Sequence, residues 1–282
     1  MFKIKKYIPD IVVAIILIAG IGLLAYPTIG DYINALHSSK AIGSYVEKTK
    51  DLSKEEKENL LREAREYNES LVGKVNRYYL NEEEKKRYAH ILDITKTGIM
   101  AYVEIPKLNI YMPVYHGTDE GVRQIAAGHL PGSSLPVGGE NTHSLISGHR
   151  GLPSAKLFTD IDKLKKGDLF FIHVFDEVLA YKVNQIKIVL PDDVETLEIE
   201  KGKDYVTLIT CTPYGVNSHR LLVRGERTVY KQSESKIEDM IKKNNLKYIM
   251  LTAGVILALI GMTVLVSVFL IKRRKRRKLN EK

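Results

Sequence analysis

The chain has 282 residues, with 43 Lys and Arg against 34 Asp and Glu, one Cys and no Trp, and a formal charge of +9 would ordinarily suggest a nucleic-acid partner. The placement of the charge argues against that: residues 1–10 carry a net +2, residues 272–282 a net +7, and everything between is neutral. A single Cys also excludes an intramolecular disulfide, so Cys211 is either an inert buried side chain or a thiol kept for its reactivity.

After the basic tail at 1–10, residues 11–30 hold no charged side chain and read as a transmembrane helix or signal-anchor. Ala25-Tyr26-Pro27 is a poor cleavage site, which favours an uncleaved anchor. Residues 31–97 read as a helical, polar N-terminal region. Ser53 with Glu56 fits a capping box, and Leu60, Leu61, Ala64, Tyr67 and Leu71 come after it at helical spacing. Asn81 to Glu84 offers a second helix start, leading into Tyr88, Ile91 and Leu92. Such short, charged helices cannot form a core alone and must pack on the more C-terminal part of the chain or stay mobile.

The pattern changes at Gly98. Ile99, Ala101, Val103 and Ile105 alternate up to Pro106, as in a strand. Further strand-like runs cover Leu108–Val114, His143–Ser147, Asp168–Phe175, Val178–Leu190, Tyr205–Thr210 and Arg220–Arg224, with one short helix near Asp119–Ile125. Residues 98–230 therefore read as a mainly β domain, a closed barrel or a sandwich. A charged linker at 231–247 leads to residues 248–271, which are uncharged and mostly apolar. At ~1.5 Å per residue that helix would span about 36 Å, enough to cross a membrane. Basic residues flank the outer ends of both apolar runs, which places both termini in the cytoplasm and residues 31–247 outside. The polybasic tail at 272–282 is expected to lie against anionic lipid headgroups.

Cys211 ends the apolar run Tyr205–Thr210 and precedes Thr212-Pro213-Tyr214-Gly215, a strand-to-loop setting that favours a reactive thiol over a core one. A free thiol is mostly protonated at pH 7, so a nucleophilic Cys needs a nearby cation or base. The candidates are His37, His90, His116, His129, His143, His149, His173 and His219. His37 and His90 belong to the polar helices, and His173 lies within a strand. His143 and His149 are six residues apart, so on one continuous strand they share a face and alternation does not separate them. His149 has the more site-like context, between the glycines of Ser147-Gly148-His149-Arg150-Gly151. Acyl transfer also needs a donor for the developing oxyanion. Arg220 would return beside Cys211 in a tight hairpin, and Arg224, on the same face, is its rival.

Thr207-Leu208-Ile209-Thr210-Cys211, with Arg220 downstream in His219-Arg220-Leu221-Leu222-Val223-Arg224-Gly225, resembles the active-site strand pair of sortases. Ser147-Gly148-His149-Arg150 resembles their catalytic-His segment, and the likeness runs from about Gly98 to Arg227. Within sortases the chain resembles class C, the pilin-polymerising group, in its His-to-Cys spacing, in Gly98–Pro106, in its long helical N-terminal region and in its C-terminal apolar segment. The resemblance implies a closed eight-stranded β-barrel, with the helical extension and terminal transmembrane helices, on the outer face of a Gram-positive membrane. It implies that Cys211 attacks the Thr–Gly bond of an LPxTG-like sorting signal and forms a thioacyl intermediate, which a Lys amine of another pilin subunit resolves. His149 would be the general acid/base and Arg220 the oxyanion or carbonyl donor.

Class C members commonly carry an Asp-Pro-aromatic lid motif. This sequence has no Asp-Pro dipeptide, and its candidate lid region, Val72 to Asn81, offers Tyr78 and Tyr79 instead. Either the lid uses an aromatic without the Asp, or the site has no plug. The expected partners are pilins bearing the sorting signal, the acceptor Lys and the lipid membrane. No nucleic acid, metal or cofactor is expected, since no clustered carboxylates or His/Cys ligand spacing appear. A sortase that attaches proteins to peptidoglycan is the nearest alternative. A non-catalytic, membrane-tethered scaffold is the alternative from another class, and the set Cys211, His149 and Arg220 counts against it.

Overall fold

The computed structural model describes residues 8–229 and the isolated positions 250, 253, 254 and 261. The expected linker at 231–247 and basic tail at 272–282 lie outside the described residues, as do most of the apolar segment at 248–271 and most of the tail at 1–10. The chain forms two compact units, Thr28–Tyr230 and Met1–Pro27 with Lys231–Lys282.

Helix α1 covers Ile8–Asp51, with Pro27 inside it. Its early part exposes Val12, Val13, Ile15, Ile16, Leu23 and Leu24, and it is long and apolar enough to cross a membrane by length and composition. The helix continues without a break through the change of composition after residue 30, into the region read as helical and polar. Gly30 is glycine for a packing reason: a Cβ there would sit 2.9 Å from the backbone of Ser154. One residue on, the Asp31 carboxylate accepts from the Lys156 backbone N–H at 2.9 Å, so this part of the helix is tied to the β domain.

Both expected capping boxes form. Helix α2 (Lys54–Leu71) is capped reciprocally by Ser53 and Glu56, and α3 (Glu82–His90) by Asn81 and Glu84. Each box satisfies orphan N–H groups in the first turn and sets where the helix starts. Helix α2 does not stand alone. Leu61, Ala64, Tyr67 and Leu71 join the main hydrophobic core, and the Asn68 amide exchanges two hydrogen bonds with the Leu135 backbone, at 3.1 and 2.6 Å.

Eight strands close into a barrel: β1 (Ile99–Ile105), β2 (Ile110–His116), β3 (Ala127–His129), β4 (Thr142–Ser147), β5 (Leu169–Val174), β6 (Glu177–Val189), β7 (Asp204–Thr212) and β8 (His219–Arg227). Their order around the barrel is β1-β2-β3-β4-β7-β8-β6-β5. Closure leaves no edge strand, which settles the barrel-or-sandwich choice. Helix α4 (Glu120–Ile125) fills the β2–β3 connection. β2 begins at Ile110, later than the apolar run suggested, because Pro106–Leu108 form a 3-10 turn and Asn109 takes a left-handed conformation. β1 is buried on both faces despite its alternating sequence. Helix α1 covers it: the Tyr45 hydroxyl donates to the Met100 carbonyl at 3.1 Å, and its ring meets Tyr102 edge-on.

Side-chain alternation on β4, β7 and β8 separates two apolar clusters. Ile146, Leu208, Leu221 and Val223 join the main core. Leu145, Ile209 and Leu222, one residue away on each strand, form a second cluster with Leu197, against which Tyr78, Leu130 and Val189 pack. This second cluster is the apolar floor beside the site.

Candidate active site

β7 and β8 pair antiparallel, with Cys211 directly opposite Arg220. The strand runs one residue past the Cys, to Thr212, so Cys211 is the penultimate residue of β7 rather than its terminus. Cys211 is partly exposed and unpaired by any disulfide. The Arg220 guanidinium donates from Nη1 to the carbonyls of Asn217 and His219, at 3.2 and 3.1 Å. The hairpin thus holds the arginine at the strand end, with no other hydrogen-bond partner among the described residues.

β4 runs parallel to β7, and Ser147 is the partner of Ile209. The alignment continues past the end of β4. Thr210 Oγ1 donates to the Gly148 carbonyl at 2.8 Å, and Arg150 Nη1 donates to Thr212 Oγ1 at 3.1 Å. His149, between these two contacts, is brought level with Cys211. The ends of β7 and β8 therefore present Cys211 opposite Arg220, and the segment just past β4 carries His149 alongside β7, although His149 and Cys211 are far apart in sequence.

Local packing explains the His149 segment. A Cβ on Gly148 would lie 2.6 Å from the Phe158 ring, so only glycine lets β4 pass there. Gly151 adopts φ +80°, a left-handed conformation that turns the chain away from the strand. Arg150 also pairs with Asp162, which braces the turn.

The other histidines have structural partners or lie on the surface. His37 and His90 are exposed. His116 places its two nitrogens 2.9 and 2.8 Å from the carbonyls of Gly98 and Ile91. His129 is fully buried between the Tyr88 hydroxyl and the Ser134 carbonyl. His173 is buried against Glu104 at 2.8 Å and stacks on Tyr102. His219 meets the Ser218 hydroxyl at 2.9 Å. His143 contacts the Glu198 carbonyl and Thr207 Oγ1 at 2.9 and 2.7 Å, and burial pushes its pKa down to about 4. His143 is therefore neutral at physiological pH and has both nitrogens engaged.

His149 differs. Its Nε2 is buried without a hydrogen-bond partner among the described residues and lies 3.6 Å from Glu120 Oε1 on α4. Sequence reasoning does not find Glu120, because nothing in the local pattern distinguishes it from other acidic residues of a helix start. Arg224, the rival of Arg220, is committed elsewhere. It lies over the Tyr205 ring at 4.0 Å and donates to Glu200 at 2.9 Å.

The segment after α2 covers part of the apolar floor. Tyr78 packs on the cluster of Leu145, Leu197, Ile209 and Leu222. Arg77, only 4 % exposed, donates to the Leu197 carbonyl at 2.6 Å and to the Tyr78 hydroxyl at 2.7 Å. Among the described residues no group of three His, Cys, Asp or Glu side chains could hold a metal ion.

Comparison with known proteins agrees with this fold. The sortase domain family matches residues 103–228. Sortase C1 from Streptococcus agalactiae is 48 % identical, with a TM-score of 0.66 and coverage of 68 % of this chain and 100 % of that one. Sortase C from Streptococcus pneumoniae, described for its pilin substrate specificity, is 46 % identical, with a TM-score of 0.62 and coverage of 69 % and 99 %. Sortase A of Bacillus anthracis is 31 % identical over 133 residues, 47 % of this chain and 61 % of that one. The chain thus spans less than two-thirds of that curated relative's length. On fold and sequence together, the chain belongs to the sortase family and is similar, among solved structures, to class C pilin sortases.

Proposed function

We propose that the protein is a membrane-anchored transpeptidase that cleaves an LPxTG-like sorting signal between Thr and Gly and joins the new Thr carboxyl to a Lys amine of another pilin subunit. What supports this reading is Cys211 directly opposite Arg220 at the end of β7 and β8, with the His149 segment held beside β7 by the Thr210–Gly148 and Arg150–Thr212 hydrogen bonds. The Cys211 thiolate attacks the Thr carbonyl carbon. Arg220 donates to the oxygen as it gains negative charge, which stabilises the tetrahedral intermediate. His149, as imidazolium, protonates the departing Gly amine, and the C–N bond breaks to leave a thioester on Cys211. Neutral His149 then takes a proton from the incoming Lys amine as it attacks the thioester. An isopeptide bond forms, and the thiolate and imidazolium are restored.

The similarity to class C structures favours a pilin acceptor over a cell-wall amine. The apolar early part of α1, the apolar run at 248–271 and the flanking basic tails support an anchored domain whose catalytic face lies outside the cell and whose C-terminus is cytoplasmic. The Tyr78 contact with the floor favours a cover built on an aromatic without an Asp-Pro pair. The test is incubation of the full chain with candidate pilins. Covalent ladders that survive boiling support pilin polymerisation. Signal cleavage without ladders, in the presence of a competent acceptor pilin, would favour attachment to another amine.

A further inference from the structure

Chemistry on a thiol and an amine needs a base whose ring is held in place and whose charged form is favoured. In most Cys–His arrangements a third group orients the imidazole. Here the buried, otherwise unpartnered Nε2 of His149 faces one carboxylate, that of Glu120, at 3.6 Å. That separation is too long for a hydrogen bond, and the contact becomes an ion pair when the ring is protonated. The His149 side chain is 19 % exposed and that of Glu120 62 % exposed, so the carboxylate reaches from solvent toward a sheltered ring. Glu120 is itself anchored on α4. Gln124 Nε2 and Arg123 Nη2 donate to its two oxygens, at 3.3 and 3.1 Å.

We propose that Glu120 is a positioning residue for His149, holding the ring at the Cys211 rung and favouring its imidazolium form. This rests on His149 as the general acid/base of the proposed function. With Nε2 facing the carboxylate, Nδ1 is the nitrogen left to exchange protons with thiol and amine. The Glu120 carboxyl is held below the usual carboxylate range, chiefly by Gln124, with His149 and Arg123 adding to the effect. The charged or titratable groups on the neighbouring elements are Arg123 on α4, which pairs with Glu120, Cys211 on β7 opposite Arg220 on β8, and Arg150 paired with Asp162. Glu120 is the carboxylate among them that pairs with the ring.

The test compares the full-length wild type, E120Q, E120K and H149A in cleavage of a sorting-signal peptide across pH 5–9. Removing the carboxylate lowers the pH at which His149 loses its proton. The basic limb of kcat/KM should therefore move to lower pH, by about half a pH unit in E120Q and further in E120K. At neutral pH kcat should fall about three- to thirtyfold in E120Q, with KM little changed. Profiles of both variants that superimpose on the wild type would overturn the proposal. So would a fall in kcat with an unmoved basic limb, which marks a structural role. H149A that turns over like the wild type would instead overturn the assignment of His149, which separates the two failures.

Discussion

Two rungs on the same three strands can be set side by side. At one, Cys211 stands opposite Arg220 at the strand ends, with the His149 segment beside β7; at the other, toward the opposite end of the same face, Thr207 stands opposite Arg224, and His143, whose own register partner is Tyr205, reaches Thr207 diagonally. Each pairs a histidine with a potential nucleophile on β7 and an arginine opposite it on β8. The second rung is saturated. His143 has both nitrogens engaged and is neutral, Thr207 is tied to it, and Arg224 is spent on Tyr205 and Glu200. The first rung keeps a ring nitrogen with no hydrogen bond, 3.6 Å from the Glu120 carboxylate, a partly exposed thiol, and an arginine that among the described residues bonds only to the Asn217 and His219 carbonyls. Similar residue types on one sheet become a clamp in one place and a reaction site in the other, according to which groups are left unsatisfied.

The sharpest way to break this comparison is to delete a member of each rung. Cys211→Ala should abolish sorting-signal cleavage, whereas Thr207→Val should reduce it less than about tenfold, as expected of a residue outside the chemistry. Next in size, His149→Ala should lower kcat/KM by about 10²–10⁴, the usual worth of a general acid/base, while His143→Gln leaves substantial turnover. The reverse order in a peptide-cleavage assay would exchange the roles of the two rungs. Arg220→Ala should cost about 10²–10³ in kcat, as for loss of an oxyanion donor, and Arg224→Ala much less.

Acid should find the saturated rung first. The folded-state pKa of His143 lies below that of the exposed side chain, so the unfolded chain takes up the proton more readily. Its contribution is complete above about pH 6.5 and is lost as pH falls toward about 4, amounting to about 3 kcal/mol at most. Thermal melts of the full chain over that range should show His143→Gln flattening the acid-side loss. An unchanged pH profile would mean that the histidine is not buried as described. The smallest effect concerns the cover. Arg77→Ala removes the buried donor that pins the segment to Leu197, and should speed alkylation of Cys211 by about tenfold without changing its identity as the modified residue.

How much of this is legible in the sequence depends on how local each feature is. The capping boxes at Ser53 and Asn81 are encoded within one turn and can be placed correctly. The Cys211–Arg220 pair is nearly as local, because one tight hairpin closes it. The level of His149 with Cys211 depends on the parallel β4–β7 pairing, which is non-local. Strand spacing does not separate His149 from His143; the glycines either side of His149 and the family resemblance do. β3 is three residues long and shows no alternation to read. The continuation of α1 past residue 30 escapes a reading by charge, because the onset of charged residues marks no break in the backbone and helix propensity carries α1 on to Asp51. Glu120 and Arg77 act through tertiary contacts across the fold, and no local pattern announces either.

The central claim is that Cys211 carries the acyl group. Full-length protein mixed with a sorting-signal peptide and no amine acceptor, then quenched in acid, should show by intact-mass and peptide-level spectrometry an adduct equal to the peptide truncated at Thr. The adduct should sit on Cys211, be released by hydroxylamine and be absent from Cys211→Ala. A truncated-peptide adduct on any other residue, or cleavage by the Cys211→Ala protein, would contradict the account.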